Sequence, residues 1–235
     1  MVVGSGLLAR AFIEVGGESF EGTCFYAAGV SNSGCRDERE FLRERTRLEA
    51  AMAARPADER FVYFSTCSVE DPSLRDSAYV GHKIEMERLA RGRRRHLVLR
   101  LPQVAGKTPN PHTLLNYMHA RMARSERFQV WGAATRNVID IADAARIAMD
   151  LIGSEDAAME TLNIANPRSY PMLEILAAME RVLRTRAVYD VLDKGSAVAI
   201  DTTRIAPAIR RCGLAFGEGY LDAIMERYYG DAATQ

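Results

Sequence analysis

The chain opens on three residues that read as a strand, Met1-Val2-Val3, and passes without a linker into Gly4-Ser5-Gly6-Leu7-Leu8-Ala9. In a Gly-x-Gly-x-x-Ala turn the first glycine allows the tight bend, the second lets backbone N–H groups approach a phosphate, and the small third residue lets the following helix pack on the strand. A strand that feeds straight into a helix this way predicts a parallel α/β sheet. The turn itself serves either as a phosphate cradle, built from Gly4, Ser5, Gly6, Leu7 and Leu8, or simply as a close-packed strand-to-helix junction.

With 235 residues, 48% of them apolar, the chain is long enough to bury a full core as one α/β unit with a small appendage. Its 31 basic and 31 acidic residues balance to zero, so no broad attraction for nucleic acid or an anionic membrane is expected. The run Arg91-Gly92-Arg93-Arg94-Arg95 reads as a solvated helix end, where cations complement the dipole. Cys24, Cys35, Cys67 and Cys212 show no Cys-x-x-Cys spacing and no nearby histidine pair, which predicts free thiols, a reducing compartment and no metal. The absence of a leader pattern and of an apolar run of about 18 residues predicts a cytoplasmic protein. Of the 31 basic residues 28 are Arg, so each Lys is conspicuous.

One of those lysines sits in the most informative stretch, Phe61 to Glu87. An apolar run leads into Ser65-Thr66-Cys67-Ser68, and a helical segment then brings Tyr79 and Lys83 to one face, four positions apart. A cation beside a phenol favours the phenolate and draws its pKa toward the working pH, so such a pair can do acid–base chemistry. Thr66, at the strand end, is placed to orient a substrate oxygen against the phenol.

These residues resemble the extended short-chain dehydrogenase/reductase family of nucleotide-sugar epimerases, dehydratases and reductases. There an apolar strand ends in Ser-Ser/Thr, Val follows three residues later, and Tyr-x-x-x-Lys opens a helix with Glu four beyond the Lys; here these are Ser65-Thr66, Val69, Tyr79, Lys83 and Glu87. The resemblance makes Thr66, Tyr79 and Lys83 catalytic. It assigns the cofactor to the glycine turn with Ala27, Ala28, Gly29, Ser65, Lys83, Pro102 and Val104, and the substrate to Cys67, Gln103 and Arg136, the last gripping a diphosphate. Segments 128–131 and 136–141 resemble the family's paired short strands, and Asp143 its structural helix-capping acid.

The N-terminal half departs from the pattern. A dinucleotide fold places an acid about 20 residues beyond the glycine turn to hold the adenosine ribose, but Thr23 to Gly29 contains none. Phe25 to Gly29 instead resembles the family's fourth strand, which leaves the second and third strands missing and predicts the sheet order 1-4-5-6-7. Only Glu14, Glu18 and Glu21 follow as acids in this region, on a helix end and a short loop.

The expected fold is therefore a doubly wound, Rossmann-like parallel α/β sheet lacking strands two and three, with a small C-terminal substrate lobe. A single domain spans 1–235, its core about 1–107 plus 140–166 and its lobe about 108–139 and 167–229. The resemblance implies NAD(P)-dependent redox or epimerase chemistry on a nucleotide-linked sugar, with NAD or NADP weakly bound and a homodimer covering the exposed sheet edge. Cys67-Ser68 stands where family dehydratases carry Asp-Glu, which points to a keto-sugar reductase or epimerase and away from a 4,6-dehydratase. The missing acid also suits a binding module that has kept the fold and lost turnover.

Overall fold

A computed structural model describes residues 1–154 and 160–230; residues 155–159 and 231–235, which fall within the expected core and single-domain spans, lie outside the described residues. The N-terminal elements are β1 (Val2–Val3), α1 (Leu7–Glu14), β2 (Thr23–Tyr26), α2 (Glu38–Ala53), β3 (Arg60–Thr66), α3 (Ala78–Arg91), β4 (His96–Leu101) and β5 (Gln103–Ala105). There follow α4 (Leu114–Ala123), β6 (Phe128–Trp131), β7 (Thr135–Asp140), α5 (Ile141–Gly153), β8 (Glu160–Asn163), β9 (Ser169–Pro171), α6 (Met172–Leu183), β10 (Tyr189–Leu192), α7 (Ala206–Arg211) and α8 (Tyr220–Tyr229).

Five strands form the main sheet in the order β1-β2-β3-β4-β8, and every neighbouring pair is parallel. This is the predicted order, with β1 at the edge and no strand beyond it among the described residues. β3 is buried along its whole length, as an unbroken apolar run predicts for a strand covered on both faces. Alternate residues point to opposite faces: Val62 and Phe64 join a core with Phe12 of α1 and Ile147 of α5, while Phe61 and Tyr63 meet Leu48 of α2 and Met86 of α3. Helices therefore cover both faces of the sheet.

A second apolar cluster joins α4, β6, α6 and α8 through residues such as Met118, Phe128, Ile175 and Met225, whereas Ile205, Ala208 and Ile209 pack on the main core. One expectation is corrected here. β6 and β7 do not pair with each other: β6 pairs with β10, and β7 with β5 and β9. The reason lies in the link between them, where Gly132, Ala133 and Thr135 donate their N–H groups to the carbonyls of Leu192, Lys194 and Ser196. The C-terminal segment thus takes the hydrogen bonds that a hairpin would need.

Candidate active site

The glycine turn behaves as its sequence suggests. Gly4 has φ +132°, and a Cβ there would lie 2.5 Å from the Ala27 carbonyl oxygen, so only glycine fits between β1 and the end of β2. At Gly6 a Cβ would meet nothing within 4 Å. Gly6 is also the N-cap of α1, with no side chain capping it, so the first backbone N–H groups of the helix are left for another acceptor. The residues on this side fit a dinucleotide pyrophosphate.

These groups open on a cleft of about 820 Å³. Across it, β3 ends at Thr66, whose Oγ1 accepts the Ser68 N–H at 3.1 Å and so keeps its own proton available to donate. Ser77 caps α3, its Oγ accepting the Val80 N–H at 3.4 Å, which sets Tyr79 in the first turn and Lys83 one turn further on. The Lys83 Nζ lies 5.8 Å from the centre of the Tyr79 ring. Thr66, Tyr79 and Lys83 all line the cleft.

What sequence reasoning missed is Glu44. This α2 side chain is 1% exposed and is hydrogen-bonded to four residues on three other segments: α3, β3 and the loop at Val30. Its Oε1 takes Lys83 Nζ at 2.9 Å and the Tyr63 hydroxyl at 2.7 Å; its Oε2 takes the Val30 N–H at 2.7 Å and lies 3.0 Å from His82 Nε2. Burial alone would raise the Glu44 carboxyl, but the bonds from His82, Lys83 and Val30 outweigh it and hold the pKa at about 2. Burial pushes the Lys83 ammonium below its usual range, with Glu44 opposing. The sequence shows Glu44 four residues before the apolar Leu48, which puts both on one face of α2, and the structure buries that face.

This corrects the expected electrostatics of the pair. Burial pushes the Tyr79 phenol well above its usual range, the Glu44 charge adds to the rise, and Thr66 works in the opposite direction. On its own, the Lys83 ammonium would lower the phenol. Its charge is instead compensated by Glu44, and the net direction is upward.

Of the other residues singled out, Gly6, Leu7, Leu8, Ala27, Gly29, Ser65, Pro102, Gln103 and Val104 line the cleft. Gly4 and Ala28 support its floor: Gly4 abuts the Ala27 carbonyl, and Ala28 packs with the apolar cluster under α2 and α3. The Ser5 carbonyl accepts from Arg10 at 3.0 Å. Cys67 is buried, its thiol 3.9 Å from Asn163 Oδ1, and burial pushes it far above the usual thiol range. Arg136 donates to the Thr135 carbonyl at 2.8 Å and lies over the Trp131 ring at 6.0 Å. Neither Cys67 nor Arg136 is among the residues lining the cleft. Glu87 proves structural: it receives a two-pronged bond from Arg100, both arms 2.8 Å, and another from Arg91 at 2.7 Å, which ties α3 to β4.

The far wall is made by residues 30–37 with Thr108, Asn110 and His112, bridged where Asn110 Nδ2 donates to Ser31 Oγ at 3.0 Å. The acids on it are Asp37 and Glu40, beside Arg36 and Arg43. Glu14, Glu18 and Glu21 are exposed and do not line the cleft.

No protein-family model and no curated protein matches the sequence. Solved structures match the fold. MoeE5 in complex with UDP-glucose and NAD is 17% identical with TM-score 0.73, covering 95% of this chain and 94% of its own. RMD from Pseudomonas aeruginosa complexed with NADPH is 17% identical with TM-score 0.72, covering 97% of each chain. UDP-glucuronic acid 4-epimerase from Bacillus cereus, in complex with UDP-glucuronic acid and NAD, is 17% identical with TM-score 0.70, covering 94% of this chain and 78% of its own. The chain has the Rossmann-like α/β fold of these proteins.

Proposed function

We propose that this protein is an NAD(P)-dependent oxidoreductase or epimerase acting on a nucleotide-linked sugar. The observation that carries the proposal is the sharing of one cleft by an uncapped helix N-terminus at Gly6 and the Thr66, Tyr79 and Lys83 side chains. The structures it resembles hold NAD or NADPH, two of them with a UDP-sugar. That supports the reading at the level of fold.

The pyrophosphate would accept from the first N–H groups of α1 at Gly6, Leu7 and Leu8. Ala27, Gly29, Ser65, Pro102 and Val104 would flank the rest of the cofactor, and a bound nicotinamide would supply or accept hydride at the sugar carbon. Tyr79 Oη passes a proton to, or takes one from, the oxygen on that carbon, while the Thr66 hydroxyl donates to the same oxygen. Lys83 stands behind the Tyr79 ring. Gln103 would face the sugar, and Arg136, which lies off the cleft lining and donates to the Thr135 carbonyl, would have to turn to reach the diphosphate, where a planar guanidinium suits phosphate oxygens.

The reaction is reduction of a keto-sugar or epimerisation, and not elimination, because Cys67 and Ser68 supply no carboxyl pair to move the protons of water loss. Calorimetric titration with NADH and NADPH, followed by product analysis on common UDP-hexoses, tests both halves. Binding of a dinucleotide and turnover without a 4-keto-6-deoxy product are expected. No binding of either dinucleotide would overturn the proposal, and accumulation of the 4-keto-6-deoxy sugar would overturn the reaction type.

A further inference from the structure

Lys83 is 2% exposed, yet it lines the cleft, and its three N–H donors have three protein acceptors within reach. These are Glu44 Oε1 at 2.9 Å, Glu44 Oε2 at 3.2 Å and the Tyr63 hydroxyl at 3.2 Å. The pair sits directly under Gly29. A Cβ at that position would be 2.6 Å from Lys83 Nζ and 2.8 Å from Glu44 Oε1, so the backbone comes down on the ion pair and a methyl group there would have to push one of its side chains aside. The Val30 N–H then donates to the same carboxylate. One carboxylate therefore fixes the ammonium, the cleft-lining backbone at 29–30 and the start of α3 together.

We infer that Glu44 is a positioning residue of the proposed site: it keeps Lys83 an ammonium, holds it beneath Gly29 and behind the Tyr79 ring, and cancels its charge there. The inference rests on the proposed function for its catalytic meaning, but the pair itself can be tested without any substrate. A buried lysine with no counterion sheds its proton several pH units below its ordinary value. Without Glu44, the site would hold a neutral amine at physiological pH. The other groups facing the pair are His82, Tyr79 and Glu87 on α3, Tyr63 on β3, and Tyr26 on β2, whose hydroxyl donates to the Glu44 backbone carbonyl at 3.1 Å. Among these Glu87, gripped by Arg100, is the other carboxylate, so no second acid is free to replace Glu44.

The chain has three lysines, Lys83, Lys107 and Lys194, which makes the measurement direct. With [13Cε]lysine label, NMR titration of the intact protein follows each one, and Lys83→Met assigns the Lys83 signal. In the wild type Lys83 keeps its proton at pH 8. In Glu44→Gln its proton affinity is expected to fall by at least about 100-fold, and Glu44→Asp should restore most of it. Titration of the same variants with NADH or NADPH across pH 6–9 supplies the readout that a purely structural role would not move. Binding to Glu44→Gln should acquire a pH dependence with the Lys83 midpoint, which the wild type lacks.

A Lys83 that is neutral at pH 8 in the wild type, or a midpoint unchanged in Glu44→Gln, overturns the inference. A shifted midpoint with pH-independent dinucleotide binding would reduce Glu44 to a structural counterion and overturn the positioning role. If neither dinucleotide binds the wild type, it is the proposed function that fails, and the lysine titration still decides whether Glu44 holds the Lys83 proton. Should Glu44→Gln not fold, Gly29→Ala takes its place for the lysine titration alone, since its methyl group must displace Lys83 Nζ or Glu44 Oε1; the wild-type measurement at pH 8 needs no variant.

Discussion

Lys83 and Glu44 stand 2.9 Å apart with side chains 3% and 1% exposed, one on the helix that carries the phenol and the other on the helix before it. A buried pair of this kind adds little net stability over an apolar replacement, but removing one partner costs roughly 3–5 kcal/mol because the other is left as an unpaired buried charge. Lys83→Ala therefore does more than delete a functional group. Its effect on activity should be read against a drop in unfolding free energy, measured by chemical denaturation, which a variant removing both charges, Glu44→Gln with Lys83→Met, largely recovers.

The same carboxylate sets an acid limit on the fold. Glu44 is held at about 2 against an ordinary 4.5. Its folded value lies below its unfolded one, so the stabilisation is complete above about pH 4.5 and is lost as pH falls toward 2, on the order of 3 kcal/mol in all. Denaturation midpoints should fall across that window in the wild type and fall less steeply in Glu44→Gln. Equal slopes in the two proteins would show that the acid limit comes from elsewhere.

The two glycines of the first turn should separate folding from binding. Gly4→Ala forces a side chain into φ +132° and against the Ala27 carbonyl, a strain of at least roughly 1–3 kcal/mol. Each kcal/mol lowers Tm by roughly 2–4 °C in a chain this size. Gly6→Ala meets no protein atom within 4 Å, so Tm should hold while dinucleotide affinity drops, because the methyl group enters the space a pyrophosphate would use. Differential scanning calorimetry and calorimetric titration of both variants check the contrast.

Tyr79→Phe removes one hydroxyl from a side chain that is otherwise packed in place, 7% exposed. The fold should be retained and the chemical step slowed by about 10²- to 10⁴-fold, the usual worth of a positioned acid–base group. Single-turnover kinetics with NADH or NADPH would show it. Retention of most of the wild-type rate would remove Tyr79 from the mechanism.

How much of this was legible in the sequence depends on whether the information was local. The turn at Gly4 to Ala9, the buried β3 and the Tyr79/Lys83 helix each depend on residues within one turn or strand, and each appears where its spacing puts it. The sheet order also followed, because Phe25 to Gly29 resembles the family's fourth strand and residues 16–22 before it are too few to hold two strands. The pairing of β6 with β10 could not be read, since it joins residues about sixty positions apart and is decided by which carbonyls happen to reach Gly132 to Thr135. Glu44 lay in between. Its place on the inner stripe of α2 was visible four residues before Leu48, but its partners Tyr63, His82 and Lys83 come from elements whose packing only the fold defines.

The last expectation concerns the cofactor: affinity for dinucleotide should be micromolar or weaker, with little choice between NAD and NADP. Affinity in this fold comes from the pyrophosphate on the glycine turn, the ribose on a second-strand acid, and adenine packed between loops. The first survives at Gly6. Among the described residues the second has no strand beyond β1 to stand on, and Glu14, Glu18 and Glu21 lie off the cleft. Missing one charge-assisted hydrogen bond costs roughly 1.5–3 kcal/mol, about 10- to 100-fold in affinity. The substitutes on the far wall are mixed in sign and already engaged: Asp37 Oδ1 accepts the Arg39 N–H at 2.9 Å, and Glu40 is paired with Arg43 through contacts of 2.8 and 2.5 Å. A ribose hydroxyl would meet the acids and a 2′-phosphate the arginines, so neither cofactor gains a decisive partner. Titration with all four forms of the dinucleotides should give dissociation constants within about tenfold of each other for NAD and NADP in the same redox state, and tight, strongly NAD-selective binding would show that Asp37 or Glu40 does the work of the missing acid.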